Sequence, residues 1–112
     1  MKRFEIWITN LPSTENSHVQ QGTRPAIIVS NDAANMHSPV VTVVPLTSRE
    51  KKSLPTHVLL QEYGLARSST ALCEQITTVD KTRLSRRIGF VYSAHDQSAL
   101  RQALRIQLGI VS

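Results

Sequence analysis

One cysteine, few aromatic residues and no long apolar run set the first limits on this chain. Cys73 alone cannot form an intramolecular disulfide, which fits a reducing compartment and makes a cytoplasmic location the expectation. No uninterrupted apolar stretch approaches the roughly 20 residues that span a bilayer, so no membrane partner is expected. The start Met1-Lys2-Arg3-Phe4-Glu5 is basic, but no apolar segment follows it as in a signal peptide. Phe4, Trp7, Tyr63, Phe90 and Tyr92 are too few and scattered to form a row of base-stacking platforms. The 4 histidines and 8 acidic residues are dispersed. They show neither metal-ligand spacing nor a paired-carboxylate motif, so no metal or other cofactor is expected.

What the chain does carry is enough length for one modest core, and an excess of positive charge. Its 112 residues, 40% hydrophobic and 19% charged, read as one domain over 1–112. The formal net charge is +5 and the pI is near 10. Such an excess attracts polyanions and speeds their encounter. The basic residues gather in two segments: Arg49, Lys51 and Lys52, then Lys81, Arg83, Arg86 and Arg87. Either could be simply a solvated face. With so few aromatics, a bound nucleic acid would be held mainly by phosphate contacts and hydrogen bonds.

Glu5-Ile6-Trp7-Ile8-Thr9 predicts a first strand, rich in β-branched and aromatic residues. Asn10 to Thr23 is polar and predicts a long loop, the kind of segment that often carries function. Pro25 begins the next strand, whose apolar run Ala26 to Val29 implies burial on both faces. Ser30-Asn31-Asp32 can cap a helical turn through Met36, stopped by Pro39. Val40 to Leu46 is a strand, with Pro45 implying an edge or bulge near its end. Thr47 to Thr56 is a basic loop, His57 to Leu60 a short strand, and Tyr63-Gly64-Leu65 a turn. Ala71 to Val79 reads as a strand, Asp80 as the N-cap of a short helix from Lys81 to Arg86, and Ile88 to Tyr92 as the last strand. The C-terminal helix is the plainest element. Ser93 and Asp96 form a capping box. Ala99, Leu100, Ala103, Leu104 and Ile110 share a broad face, with Leu108 beside it. Gly109 stands at the C-cap. The whole is mainly β, a small bent barrel with one packed helix.

The candidate chemistry gathers in His18-Val19-Gln20-Gln21-Gly22-Thr23-Arg24-Pro25. Arg24 brings a permanent charge and a fork of donors, suited to a phosphate whose charge grows in a transition state. Gly22 lets backbone approach a ligand. His18 could move a proton near neutral pH, or could simply be a loop histidine. Thr47-Ser48 offers two hydroxyls at a strand end, for phosphate oxygens or for the turn itself. Glu74-Gln75 interrupts an apolar strand, and a carboxylate there needs a partner if its side is buried. Cys73 reads as a small core hydrophobe, not a nucleophile.

Five segments in one order resemble the MazF/PemK (Kid) toxins over nearly the whole chain. They are Arg3 to Trp7, Gln20 to Val29, Val43 to Ser48, Leu54 to Val58 and Leu72 to Leu84. The resemblance implies an SH3-like β-barrel of the PemK/CcdB type with a C-terminal helix, usually a homodimer. It implies sequence-selective, metal-independent cleavage of single-stranded RNA. An acidic cognate antitoxin with a disordered tail is the implied protein partner. Carried over residue by residue, Arg24, Thr47 and His18 are the implied catalytic residues, and Glu74 stands where Kid-like members carry an aspartate. Gln20, Gln21, Gly22, Thr23, Ser48, Glu74 and Gln75 are the implied RNA contacts. Val19, Leu72 and Phe4 replace an acid, an arginine and a glycine of that pattern. A catalytically weak homologue that only binds RNA or antitoxin is therefore the alternative. A CcdB-like gyrase poison is a third reading, but the C-terminal Trp-Gly element it would use is missing.

Overall fold

The computed structural model describes residues 1–110; Val111 and Ser112, the end of the domain expected over 1–112, lie outside the described residues. Within them the order is β1 (Glu5–Leu11), β2 (Gly22–Ile28), α1 (Asp32–His37), β3 (Val40–Thr47), β4 (His57–Leu60), β5 (Ser69–Leu72), β6 (Thr77–Asp80), β7 (Leu84–Phe90) and α2 (Ala94–Leu108). The strands pair antiparallel in the order β4-β5-β3-β2-β1-β7, with β6 also on β3.

Strand alternation divides the core between the two faces of this sheet. Ile6, Ile27, Val44 and Leu46 point to one side, where they join Leu100, Ala103 and Leu104 of α2. Leu11, Ala26, Ile28, Val41 and Val43 point to the other, with Val79, Leu84 and the half-buried Trp7. Ala26, Ile27 and Ile28 are all fully buried, as an apolar run in an inner strand requires. Burial of each large aliphatic side chain contributes about 1.5–3 kcal/mol. The caps of α2 stand where expected, but the capping box is only half made, because the Asp96 carboxylate accepts the Tyr63 hydroxyl at 2.6 Å instead of reaching back to the Ser93 N–H. Ser93 Oγ accepts the Asp96 N–H at 3.3 Å, and Gly109 takes a left-handed C-cap conformation with φ +67°.

Several boundaries differ from those expected. β2 starts at Gly22, so Pro25 lies inside it, opposite Ile8 of β1 and one residue before the pairing with β3 begins at Ala26. The strand expected over Ala71 to Val79 is two strands, parted by a 3-10 turn at Cys73–Gln75. β3 pairs with β6 through Val43 and with β5 from Leu46. Pro45 therefore sits at the gap between the two partners, where a missing N–H breaks no ladder. Its strand is central rather than an edge. The helix expected from Lys81 to Arg86 is only a 3-10 turn, Lys81–Arg83, and Asp80 makes no side-chain cap. The chain then continues directly as β7, which ends at Phe90. Leu108 and Ile110, expected on the packed face of α2, are more than half exposed.

The sheet bends strongly without closing its hydrogen-bond ladder. Across the seam, the turn after β4 meets β7 backbone to backbone. A Cβ on Gly64 would lie 1.9 Å from the Ile88 carbonyl oxygen, and one on Gly89 would lie 1.7 Å from that of Tyr63. Only glycine fits at these two places. The barrel-like shape thus rests on one close crossing.

Candidate active site

Adjacent strands carry Arg24 and Thr47. The β2–β3 register pairs Ala26 with Pro45, Ile27 with Val44 and Ile28 with Val43. Continued by two residues, that register brings Arg24 abreast of Thr47, both on the face that carries Ala26 and Val43. Thr9 of β1 is paired with Arg24, and Thr70 of β5 with Thr47. A row Thr9, Arg24, Thr47, Thr70 thus crosses the sheet, three hydroxyls flanking one guanidinium. Thr47 is 4% exposed, and its Oγ1 accepts the Arg49 N–H at 3.2 Å.

The loop before β2 folds back on Arg24. Arg24 Nε–H donates to the Gln21 carbonyl at 2.9 Å, and its terminal nitrogen donates to Gln20 Oε1. The Gln20 N–H in turn donates to Gln75 Oε1 at 2.8 Å. Gln21 braces the loop from within, its amide donating to the Thr14 carbonyl at 2.7 Å. Gly22 has φ +80°, with open space where a Cβ would stand. Its role here is the left-handed turn into β2 rather than close approach of a ligand.

Glu74 meets a partner that the sequence analysis did not select. His57 Nε2 lies 2.9 Å from Glu74 Oε2, and the Thr56 hydroxyl donates to Glu74 Oε1 at 3.1 Å. The β4–β5 register pairs His57 with Leu72, two residues before Glu74, which is what brings them together. The only prior signal was the need of a strand carboxylate for a partner. Burial pushes the Glu74 carboxyl up, but hydrogen bonds from His57, its own backbone and Thr56 outweigh it and hold it below its ordinary value. Nε2 is the ring nitrogen that meets Glu74, while Nδ1 is buried without a hydrogen-bond partner.

Two hollows flank this row. One of about 320 Å³ is lined by Ser48, Arg49, Glu50, Lys51, His57 and Thr70, two permanent cations against one carboxylate. A smaller one of about 190 Å³ lies between Val19, Gln20, Gln21, Pro45 and Gln75. The structure thus gathers Arg24, Thr47, Gln20, Gln21, Gly22, Glu74 and Gln75, with Ser48 at the rim. Thr23 is on β2 and exposed. His18 is exposed, and its ring has no hydrogen-bond partner among the described residues. Leu72 is 1% exposed and belongs to the interior. Cys73 is fully buried, and burial with the Glu74 charge pushes its thiol up to about 12, as befits a core residue.

An arginine and a buried hydroxyl thus stand abreast on a bent sheet, beside a polar hollow. Comparison with known proteins gives the family. The model of the PemK-like, MazF-like toxins of type II toxin-antitoxin systems matches residues 2–108. The chain belongs to this family. It is 35% identical to an endoribonuclease MazF of Staphylococcus saprophyticus, covering 98% of this chain and 92% of that protein. Among solved structures, a mycobacterial endoribonuclease in complex with its cognate antitoxin superposes with a TM-score of 0.83 at 26% identity, covering 100% of this chain and 98% of that one. MazF of Deinococcus radiodurans superposes with a TM-score of 0.79 at 25% identity, covering 97% and 96%.

Proposed function

We propose that this chain, acting as one toxin domain, is the endoribonuclease of a type II toxin-antitoxin pair. It cuts single-stranded RNA with sequence preference and without a metal. Its products carry a 2′,3′-cyclic phosphate and a 5′-hydroxyl. The observation that carries this reading is the alignment of Arg24 with Thr47 beside the polar hollow, in a chain of this family.

The reaction needs in-line geometry, two proton transfers and stabilisation of a crowded phosphorus. The 2′-oxygen forms its bond to phosphorus as its proton leaves to a base. The bond from phosphorus to the 5′-oxygen breaks as that oxygen gains a proton. Arg24 stabilises the charge on the non-bridging oxygens, and the Thr47 hydroxyl donates to one of them. A substrate phosphate takes the place of Gln20 Oε1 on Arg24. Gln20, Gln21, Thr23, Ser48 and Gln75 supply polar contacts to the RNA.

For proton transfer there are two candidates: His18, exposed in the loop before β2, and His57, oriented by Glu74, whose buried Nδ1 would have to be uncovered by the bound RNA. In the second case Glu74 acts as a positioning residue rather than an RNA contact. The protein is proposed to work in the cytoplasm as a homodimer, blocked by an acidic antitoxin tail in the RNA groove. β3 is not available for a shared interface. Val41, Val43, Val44 and Leu46 are buried within the chain. A dimer must use another face. Among the described residues no helix is long and apolar enough to cross a membrane.

Incubation of the purified protein with a long single-stranded RNA in EDTA tests the proposal. Discrete fragments support it. RNA that is bound but left intact would support the binding-only alternative instead.

A further inference from the structure

A cationic hollow lies away from the Arg24 site. It has a volume of about 440 Å³, and Arg3, Arg101 and Arg105 line it together with Val29, Ile76 and Leu104. Val29 follows the far end of β2, five residues from Arg24. At about 3.3 Å per residue, the two sites are roughly 16 Å apart along the strand.

The hollow is built around a strained residue. Phe4 has φ +72°, a conformation that costs a bulky side chain energy and persists only where its surroundings impose it. Its N–H donates to the Ile28 carbonyl at 2.7 Å, and its carbonyl accepts the Val91 N–H at 2.9 Å. So pinned, its ring is 3% exposed and holds two guanidiniums, Arg3 at 4.8 Å and Arg101 at 5.3 Å from its centroid. Arg3 Nε is buried without a hydrogen-bond partner. Burial first, and then the Arg101 charge, pull the Arg3 pKa down against the opposing pull of Asp32. Two like charges and an idle donor are thus held together where an anion would relieve them.

We propose that this hollow docks an acidic, aliphatic segment of the antitoxin, with a carboxylate on Arg3 and Arg101 and a Leu, Ile or Val side chain against Val29, Ile76 and Leu104. The proposal rests on the toxin-antitoxin reading and adds to it an anchor outside the RNA groove. The wall chemistry selects the occupant. Aliphatic side chains fill an aliphatic wall, whereas single-stranded RNA calls for exposed aromatic faces to stack on, and Phe4 is covered. Occupation of both sites by one antitoxin chain would raise its avidity without new contacts at the active site.

The test uses a fluorescent peptide of alternating Glu and Leu, with Gln-Leu and Lys-Leu peptides as controls. Binding is measured by anisotropy to the wild type, to Arg101→Gln/Arg105→Gln and to Arg24→Ala. Cleavage of RNA by the wild type and by Arg101→Gln/Arg105→Gln is followed in parallel, and melting curves confirm that each variant folds. The expected result is binding of the Glu-Leu peptide alone, at least tenfold weaker in the double variant and unchanged in Arg24→Ala. Cleavage by the double variant stays at the wild-type level. Equal binding to wild type and double variant, or loss of binding in Arg24→Ala alone, would overturn the proposal. A double variant that loses RNA cleavage would also overturn it, by making the hollow a nucleic-acid surface. Peptide binding by a protein that cuts no RNA would keep the dock and reject the nuclease.

Discussion

Gln75 Oε1 accepts the backbone N–H of Gln20 at 2.8 Å, joining residues 55 positions apart. The same Gln20 accepts from Arg24 through its side chain. One glutamine therefore ties the arginine of the site to the 3-10 turn that carries Glu74. Gln75→Ala should release the loop. We expect exchange of the Gln20 amide proton to accelerate at least tenfold while that of Ile27, in the sheet core, stays constant. Unchanged protection at Gln20 would show that the loop is held by other means.

Arg24→Ala should cost most of the RNA cleavage. Loss of a donor aimed at transition-state charge is typically worth roughly 2.7–4 kcal/mol, about 10²–10³-fold in rate. Arg24→Lys should also fail substantially, because a point charge cannot reproduce the planar fork. Thr47→Ala removes one neutral hydroxyl and should cost less. Single-turnover rates on one oligonucleotide give the order, and a Thr47 variant worse than the Arg24 variants would contradict it.

The two candidate histidines separate by pH profile. If His57 moves the proton, His57→Ala should lower the rate about 10²-fold or more and remove one limb of the profile. Glu74→Gln should keep that limb but shift it, since the group that orients the ring is altered. His18→Ala should leave the profile in place. A limb that vanishes in His18→Ala instead would return the role to the loop histidine.

Two carboxyls make stability fall in acid. Glu5 is raised by burial, but hydrogen bonds from the Lys2 N–H and the Trp7 indole, with the Arg87 charge, hold it below its ordinary 4.5. Glu74 lies below the same ordinary value of 4.5. A carboxyl with a depressed folded pKa contributes stability that is present above its unfolded pKa and lost as pH falls through the folded one. The stability gap between wild type and Glu5→Gln/Glu74→Gln should therefore be full at pH 7 and shrink below about pH 4.5. Urea unfolding at a series of pH values reads it, and a gap independent of pH would contradict the assignment.

Gly89→Ala should destabilise the fold by more than an ordinary surface change, about 2 kcal/mol or above, because its methyl meets backbone rather than a movable side chain. The added Cβ would stand 1.7 Å from the Tyr63 carbonyl oxygen. A melting temperature within a degree or two of wild type would mean that the seam can open without cost.

The fold was largely legible because periodicity reports burial. The run Ala26 to Val29 announced an inner strand, and the alternation of β1 and the capped face of α2 announced theirs. What failed were breaks in pairing. Nothing local to Ala71 to Val79 says that the strand must step aside at Cys73–Gln75, because the break is set by β3, which changes partner at Pro45. Likewise Lys81 to Arg86 has helical composition, but β1 recruits Leu84 onward as a strand partner, and tertiary pairing overrides propensity.

The candidate site was legible where its residues are contiguous, as from Gln20 to Arg24, and where Thr47 closes a strand. His57 was not, because its link to Glu74 depends on the β4–β5 register, which a loop of uncertain length separates from any local signal. The arginine hollow was hidden for the same reason. Arg3 lies at one end of the chain and Arg101 and Arg105 at the other.

The central claim is that Arg24 and Thr47 stabilise attack by the substrate's own 2′-hydroxyl. A chimeric oligonucleotide with a single 2′-deoxy sugar at the scissile position tests it directly, in EDTA, against the all-RNA parent. The account predicts a cleaved parent ending in a 2′,3′-cyclic phosphate and a resistant chimera. Equal cleavage of both would contradict it.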